Sequence, residues 1–225
     1  MYLQRSPQLQ GEVLWLKISS FIYKLPRLIY RVIVKNAIDS ALAMLALVFL
    51  FPLLILIAIQ IKRDSPGPIL IRQKCEGLRG YPFYMYKFRT HEVVMAGPAH
   101  APTQALRETY IGKVLREANL ENLPQLFNVF ISDMSLVGPR PELFKLMINN
   151  VPLDQIVPNY KARNLVKPGM TGWAQINGLR GPLRSINDIK QRFSYDLDYT
   201  KNVSFHSDRY IISKTIPLLK GAVLT

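Results

Sequence analysis

The 225-residue sequence is short of the side chains that build disulfides and metal centres. It has one cysteine, Cys75, so it can form no internal disulfide and no cysteine-based metal site. Its three histidines (His91, His100 and His206) are scattered, which argues against a zinc centre. Acidic residues are also scarce: 15 Asp and Glu stand against 29 Lys and Arg, a net charge of +14. This excess predicts an anionic partner, with nucleic acid, anionic lipid and phosphorylated small molecules all open.

The pattern of a cleavable signal peptide is also missing. The first 12 residues are polar, and no apolar segment with a small-residue cleavage site follows them. We therefore expect the catalytic part of the chain on the cytoplasmic side of a membrane.

One long hydrophobic run is present, from Ala41 to Ile59, with no charged residue. Its length is close to the roughly 20 residues that cross a hydrocarbon core. Pro52 lies near its middle, where proline kinks or breaks a helix. Basic residues flank both ends, so the positive-inside rule assigns no orientation. The pattern favours a re-entrant helix–break–helix over residues 35–63, with a membrane-spanning helix and a buried helix of a soluble domain as the alternatives.

Residues 1–34 are predicted to form a basic amphipathic segment lying in the membrane interface. Between Val13 and Lys35 the basic side chains share a narrow helical arc, opposite the apolar ones. Pro26 is expected to divide this segment into two pieces. The alternative is an amphipathic helix packed on the folded domain.

Residues 64–225 are predicted to form a compact cytoplasmic domain of the α+β class, mostly helical. A turn cluster, Asp64–Pro68, ends the membrane segment, and the aromatic-rich stretch up to Phe88 predicts a small β-hairpin. Residues 91–110 have weak periodicity and are expected to be a loop. Helical spacing occurs in residues 111–117, 122–131, 185–200 and 207–222, with Asn119 a candidate cap of the second helix.

Three clusters carry side chains suited to phosphate chemistry. Lys87 and Arg89 would share one face of an extended strand and could clamp a phosphate. Arg140 stands between Pro139 and Pro141, which restrict the backbone and aim its side chain. Residues 167–178 mix glycines with polar side chains, a composition typical of a loop that closes over a ligand. Each cluster alone is also explained by a turn or a solvated charge pair.

In this order the clusters resemble the bacterial sugar transferases, the small monotopic polyprenyl-phosphate phosphoglycosyltransferases. The resemblance covers about residues 35–222, and its most specific motif is Met134-Ser-Leu-Val-Gly-Pro-Arg-Pro141. The other matching residues are Lys35, Asp39, Pro52, 64–68, Arg72-Gln73, 87–90, Ile111-Gly112, Leu115-Arg116, 123–125, Asn128-Val129, 167–178, Asp196, Tyr199 and Asn202.

The resemblance implies a fold and a reaction. A membrane helix kinked at Pro52 would enter one leaflet of the bacterial inner membrane from the cytoplasmic face. In an Asp-Glu pair that works with Mg²⁺, the Asp carboxylate would attack the β-phosphate of a UDP-sugar and release UMP. Undecaprenyl phosphate would then take the sugar phosphate from the covalent intermediate. Such a step starts exopolysaccharide, O-antigen or capsule assembly. The residues implied to bind substrate phosphate are Lys87, Arg89, Arg116, Pro139, Arg140, Pro141, Gln175 and Asn177.

The sequence departs from the family at the catalytic pair. Where the family has Leu-Asp-Glu-Leu-Pro-Gln, this chain has Leu120-Glu121-Asn122-Leu123-Pro124-Gln125. Glu121 therefore takes the nucleophile position, and Glu121 with Asn122 the metal-binding position. Glutamate is one methylene longer than aspartate, and asparagine lacks the charge that hard cations favour. Two interpretations follow: a working variant enzyme, or a catalytically degenerate member that serves as a membrane-bound binding or scaffold subunit.

The sequence says less about substrates and partners. The Asn177-Gly-Leu-Arg-Gly181 version of the last motif resembles members that transfer hexose-1-phosphate, which points weakly to glucose or galactose. Nonspecific nucleic-acid binding would need only the positive charge. No base-stacking or helix–turn–helix pattern supports it, so no nucleic-acid partner is predicted. A homodimer or a partner subunit stays open.

Overall fold

The computed structural model describes residues 30–92, 107–148, 150–181 and 185–221. They form a mostly helical α+β structure with three two-stranded sheets, which confirms the predicted class. The predicted interfacial segment, residues 1–34, lies outside the described residues except for a π-helical turn, Tyr30–Val34. Most of the predicted loop at 91–110 also lies outside them.

The elements follow one another in a simple order. They are α1 (Lys35–Asp64), β1 (Leu70–Glu76), β2 (Pro82–Phe88), α2 (Tyr110–Glu117), a 3₁₀ turn (Leu120–Asn122), α3 (Gln125–Phe130), β3 (Ser135–Val137), β4 (Met147–Ile148), β5 (Val151–Pro152), α4 (Leu153–Ile156), α5 (Tyr160–Arg163), β6 (Gly169–Thr171), α6 (Trp173–Ile176), α7 (Ile186–Lys201) and α8 (Phe205–Gly221).

Helix α1 has 30 residues and continues through Pro52, whereas the sequence pattern predicted a break there. At about 1.5 Å per residue it is about 45 Å long. Leu50 and Leu53, on either side of Pro52, both pack against the domain. These contacts support the helix where proline removes one backbone hydrogen bond. In the described part of the chain, α1 is the one helix long and apolar enough to cross a membrane, by length and composition.

One face of α1 packs on the domain along its whole length. Ala43 contributes to a core cluster with hairpin and α3 side chains, and Ile57 and Ile61 contribute to a second cluster with Phe88 and Leu115. The opposite face stays apolar but exposed, with Phe49 84% and Val48 71% accessible. An apolar face of this size normally contacts lipid or another protein.

Both ends of α1 are also bonded to the domain. Near its start, Lys35 forms ion pairs with Asp39 (3.3 Å) and with Asp208 of α8 (2.7 Å). Near its end, the Asp64 carboxylate accepts a hydrogen bond of 2.9 Å from the backbone N–H of Ile111. The two ends of the apolar helix are therefore anchored to the same folded unit.

The predicted hairpin is confirmed. Strands β1 and β2 pair antiparallel from Leu70↔Phe88 to Glu76↔Pro82. The turn between them needs a left-handed backbone at Arg79 (φ 56°) and Gly80 (φ 80°). Phe83 and Met85 of β2 point into the core beside α3, so the hairpin forms one wall of the space around Lys87.

Two glycines of residues 167–178 pack closely on a second segment. Gly169 lies in β6 and Gly172 directly precedes α6, and β6 pairs in parallel with β3 through Ser135↔Gly169 and Val137↔Thr171. A Cβ on Gly169 would lie 2.1 Å from the backbone nitrogen of Gly138, and one on Gly172 would lie 2.2 Å from the Gly138 carbonyl oxygen. Glycine is therefore required at these two positions for close contact between backbones, and closure of residues 167–178 over a ligand stays a prediction.

Candidate active site

The 3₁₀ turn Leu120–Asn122 carries the predicted catalytic pair. Leu120 and Leu123 pack into the apolar cluster around Ile57 and Phe88, so the two leucines hold both ends of the turn against α1 and β2. Asn119 enters the turn with a left-handed backbone (φ 56°) and makes no side-chain cap. The predicted capping role of Asn119 is therefore wrong. The turn instead follows from this backbone conformation and from the buried leucines.

Asn122 and Gln125 form a short chain of amides that ends on Glu121. The Asn122 side-chain NH₂ donates to Glu121 Oε1, and the Gln125 NH₂ donates to Asn122 Oδ1 at 2.7 Å. The second carboxylate oxygen, Glu121 Oε2, is buried without a hydrogen-bond partner among the described residues. One oxygen of Glu121 is thus fixed, and the other is buried with no hydrogen-bond partner among the described residues.

Two cations from different parts of the chain act on this carboxylate. Burial raises the pKa of Glu121 above its ordinary value of 4.5; its own backbone N–H, Asn122, Lys87 and Arg140 oppose this change. Burial likewise lowers the pKa of Lys87, and repulsion from Arg140 lowers it further. Glu121, Lys87 and Arg140 are therefore within electrostatic reach of one another, in a partly dehydrated place where charge interactions are strong.

The Arg140 segment is held by backbone contacts on both sides. Gly138 N–H donates to the Thr171 carbonyl, and Gly169 N–H donates to the Pro139 carbonyl, both at 2.8 Å. The Arg140 carbonyl accepts a hydrogen bond from Arg163, which is itself buried and paired with Asp196 at 2.9 Å. The backbone around Arg140 is therefore restricted both by Pro139 and Pro141, as expected, and by these hydrogen bonds.

Glu142 is a residue that the sequence did not single out. It is 8% exposed, pairs with Arg192 at 3.5 Å, and acts electrostatically on Lys87. The sequence could have indicated Glu142 through its position directly after Pro141, because proline restricts the backbone and so fixes where the next side chain lies. Glu142 counters part of the positive charge behind Lys87 and Arg140.

Arg89 and Arg116 have contacts that do not converge on Glu121. Arg89 is 2% exposed, and its guanidinium donates to the carbonyls of Ile61, Ser65 and Pro66 at the end of α1. Arg116 pairs with Glu108 at 2.8 Å, with its side chain 54% exposed. The Arg89 contacts favour a role in ending α1 over the predicted phosphate clamp with Lys87.

Gln175 and Asn177 lie in and just after α6. The Gln175 NH₂ donates to the Met170 carbonyl at 3.2 Å, and its Oε1 is buried without a partner among the described residues. The Asn177 NH₂ donates to the Trp173 carbonyl at 2.8 Å. Both bonds lie within residues 170–177. A direct contact of either residue with substrate stays a prediction.

The predicted magnesium ligands, Glu121 and Asn122, offer one unpartnered oxygen between them. Asn122 Oδ1, the one neutral oxygen that asparagine could offer, already accepts from Gln125. Glu121 Oε1 accepts from Asn122, which leaves only Oε2 open. Within the described ranges, no group of three or more His, Cys, Asp or Glu side chains could hold a metal ion.

Comparison with known proteins finds relatives over most of this chain. The family model described as bacterial sugar transferase matches residues 30–221. The UDP-glucose:undecaprenyl-phosphate glucose-1-phosphate transferase of Xanthomonas campestris pv. campestris is 41% identical over 85% of this chain, and the match covers 40% of that protein. The exopolysaccharide production protein PSS of Rhizobium leguminosarum bv. phaseoli is 37% identical over 82% of this chain and 94% of its own length.

Relatives at similar identity carry names with different sugars. The UDP-N-acetylgalactosamine-undecaprenyl-phosphate N-acetylgalactosaminephosphotransferase of Aeromonas hydrophila is 37% identical over 85% of this chain and 44% of its own length. The chain thus spans less than half of two of these three relatives and nearly the whole of the third.

Proposed function

Because this chain belongs to the bacterial sugar transferase family, whose members are sugar-phosphate transferases, we propose that it transfers a sugar-1-phosphate from a UDP-sugar to undecaprenyl phosphate. The observation that carries the proposal is the placement of Glu121. Its carboxylate has one fixed oxygen and one buried, unpartnered oxygen, with Lys87 and Arg140 within electrostatic reach.

In the proposed first step, Glu121 Oε2 attacks the β-phosphorus of the UDP-sugar. The bond from this phosphorus to the bridging oxygen breaks, and UMP leaves with that oxygen and its electron pair. In the second step an oxygen of undecaprenyl phosphate attacks the same phosphorus and displaces Glu121. Covalent transfer divides one difficult displacement into two easier ones.

Lys87 and Arg140 would supply charge stabilisation in both steps. A transferring phosphoryl group spreads negative charge over its outer oxygens, and fixed cations in a dehydrated site stabilise that charge. Lys87 comes from the hairpin and Arg140 from the segment after β3, so two separate elements define the position of the phosphate. Mg²⁺, implied by the family, would be held by Glu121, whose Oε2 has no partner among the described residues, with the neutral oxygen of Asn122, and would add charge stabilisation at the phosphate.

We place the chain on the cytoplasmic face of the bacterial inner membrane. The support is the anchoring of both ends of α1 to one domain, at Lys35–Asp208 and Asp64–Ile111. In the proposed re-entrant arrangement, the face of α1 that carries Phe49 and Val48 would contact lipid while both ends stay on the cytoplasmic side.

Hexose-1-phosphate, with glucose first, is the proposed group transferred, and assembly of an exopolysaccharide or related glycan is the proposed context. The support is the wording of the relatives' names, one of which contains glucose and another exopolysaccharide. The N-acetylgalactosamine relative at 37% identity makes a donor panel necessary.

The test is UMP release by the full chain in nanodiscs with undecaprenyl phosphate and a panel of UDP-sugars. The wild type should release UMP with UDP-glucose, and Glu121→Gln should reduce the rate at least 1,000-fold. Lys201→Gln, a substitution on the exposed surface of α7, is the matched control and should retain full activity. Full activity in Glu121→Gln would disprove the nucleophile assignment.

A second candidate function is binding without turnover, as a scaffold subunit. The observation that favours it is Asn122 in place of the family's second acid. Release of UMP by the double variant Glu121→Asp, Asn122→Glu, with none from the wild type on any donor, would support this alternative.

A further inference from the structure

A cavity of about 280 Å³ lies beside the start of α1, apart from the predicted catalytic pair. Its lining residues are Leu78, Arg79, Tyr81, Ser132, Asp133 and Lys167. The Ser132 hydroxyl lies 3.3 Å from the Ser40 hydroxyl of α1. The turn that carries Glu121 packs instead on Ile57 and Ile61, roughly 25 Å further along the same helix. The cavity is therefore separate from the proposed site of transfer.

The walls of the cavity are held by hydrogen bonds between backbones. The Arg79 N–H, at the tip of the hairpin, donates to the Asn164 carbonyl at 2.6 Å. The Asp133 N–H donates to the Asn128 carbonyl at 2.9 Å. Lys167 lies just before β6, whose pairing with β3 fixes its position. The side chains that line the cavity are thus carried by a preformed backbone, which lowers the entropy cost of binding a ligand.

Two cations and one acid line the cavity, which leaves an excess of positive charge. Among the described residues, neither Arg79 nor Lys167 forms an ion pair within 4 Å. Burial lowers the pKa of Lys167, and so does the charge of Lys35. Asp39 and Asp133 oppose this change. An anion in the cavity would compensate the charges of Arg79 and Lys167, so the lining favours a negatively charged ligand.

The rim of the cavity is apolar and exposed. Tyr81 is 73% accessible, and Leu78 and Ile131 are exposed beside it. The exposed apolar face of α1 includes Leu42, two residues after Ser40. Cations surrounded by exposed apolar side chains suit the border of a bilayer, where phosphates lie above hydrocarbon. A free phosphate would gain nothing from such a rim, whereas a lipid would contact it with its acyl chains.

We propose that Arg79 and Lys167 bind the phosphate of an anionic glycerophospholipid, with phosphatidylglycerol as the test case, at the start of α1. A guanidinium can donate two parallel hydrogen bonds to one phosphate, and an ammonium adds a second charge from a separate loop. This lipid would tie the hairpin tip to the membrane surface and would take no part in the transfer. The inference does not depend on the proposed function, because lipid binding needs no turnover.

The first test is native mass spectrometry of the full chain in detergent, titrated with phosphatidylglycerol. The wild type should retain one lipid tightly, and the double variant Arg79→Gln, Lys167→Gln should bind it at least about 10-fold more weakly. The double variant Lys190→Gln, Lys201→Gln removes the same charge from the exposed surface of α7 and should keep the wild-type affinity. Equal affinities in the two double variants would overturn the proposal.

Asp133→Asn tests the sign of the charge on the ligand. It removes the acid that lines the cavity, so phosphatidylglycerol should bind about threefold more tightly or better. Weaker binding in this variant would show that Asp133 receives a cationic group, as in the headgroup of phosphatidylethanolamine. That result would overturn the assignment of an anionic headgroup.

Glycerol phosphate distinguishes a lipid from a soluble phosphate with the same chemistry. A large molar excess should leave phosphatidylglycerol bound, because glycerol phosphate has no acyl chains to contact the apolar rim. Displacement at equal concentrations would assign the cavity to a free phosphate and overturn the lipid assignment. Thermal unfolding of each variant shows whether it is folded. If the double variant is not, Arg79→Gln alone, at an exposed turn position, gives the test with the same expected direction.

Discussion

At the residue scale, burial and the neighbouring positive charges have opposite effects on the pKa of Glu121. Burial raises its pKa, whereas the hydrogen bond from Asn122 and the charges of Lys87 and Arg140 oppose this change. The nucleophile must be ionised, so activity should rise with pH through a midpoint above 4.5. The rate of UMP release between pH 4 and pH 8 checks this, and a midpoint at or below 4.5 would contradict it.

The same pKa has a consequence for stability. A carboxyl whose folded-state pKa is raised binds its proton more tightly when folded, so stability falls as pH rises from 4.5 through the raised pKa. Glu121→Gln removes this loss and should raise the thermal unfolding midpoint at pH 7 by a small amount. The gain should vanish below pH 4.5. A lower midpoint at pH 7 would mean that the carboxylate stabilises the fold.

Lys87 and Arg140 are both positively charged and repel each other, because the charge of Arg140 lowers the pKa of the partly buried Lys87. Lys87→Met should therefore lower the rate of UMP release about 100-fold while leaving the unfolding midpoint unchanged or slightly higher. Rate and thermal unfolding measured on the same preparation test this. A lower midpoint together with the lower rate would assign Lys87 a structural role.

Substitution of Arg89, unlike that of Lys87, should lower the unfolding midpoint. Arg89→Ala would leave the carbonyls of Ile61, Ser65 and Pro66 without their donor, at a cost of about 2 kcal/mol, or several degrees in the unfolding midpoint. Arg116→Ala, which breaks an exposed pair, is the comparison and should cost less than about 1 kcal/mol. Equal midpoints for the two variants would contradict the role of Arg89 at the end of α1.

At the element scale, the contact of β3 with β6 determines where Arg140 lies. Gly169→Ala would place a methyl group 2.1 Å from the Gly138 nitrogen and push the two strands apart. Activity should fall at least 100-fold and the unfolding midpoint should drop. Gly181→Ala, where nothing lies within 4 Å, is the matched control. Wild-type activity in Gly169→Ala would separate this strand contact from catalysis.

The elements themselves were largely predictable, because local patterns specify them. The hairpin follows from its aromatic strands and glycine turn, and α7 begins at Ser185, whose side chain forms a capping box with Asp188. Glu121 and Lys87 could be named from their motifs. Their mutual reach depends on the packing of α3 against both α1 and β2, which no local pattern contains.

Contacts between distant segments could not be predicted from local patterns. Arg89 follows Lys87 by two residues, and a strand pattern pairs the two cations, but the Arg89 guanidinium also donates to the Ser65 carbonyl, 24 residues earlier. Gly169 and Gly172 lie in a stretch whose composition indicates a loop, and their close approach to Gly138 depends on the pairing of β3 with β6. In each case a long-range contact adds a structural role that the neighbouring residues do not indicate.

At the scale of the whole molecule, the position of α1 sets how the chain meets the membrane. Single cysteines at Ile33 and Arg63, in a Cys75→Ser background, report the two ends of the helix. Both should react with a membrane-impermeant maleimide in inverted inner-membrane vesicles and neither in intact spheroplasts. Reaction of one end in spheroplasts and the other only in inverted vesicles would show a helix that crosses the bilayer.

The most direct measurement is mass spectrometry of the full chain after incubation with UDP-glucose and no acceptor. A sugar-phosphate adduct should form on the peptide that contains Glu121, be absent in Glu121→Gln, and disappear when undecaprenyl phosphate is added. UMP release by the wild type with no adduct, or an adduct on another residue, would contradict covalent transfer through Glu121.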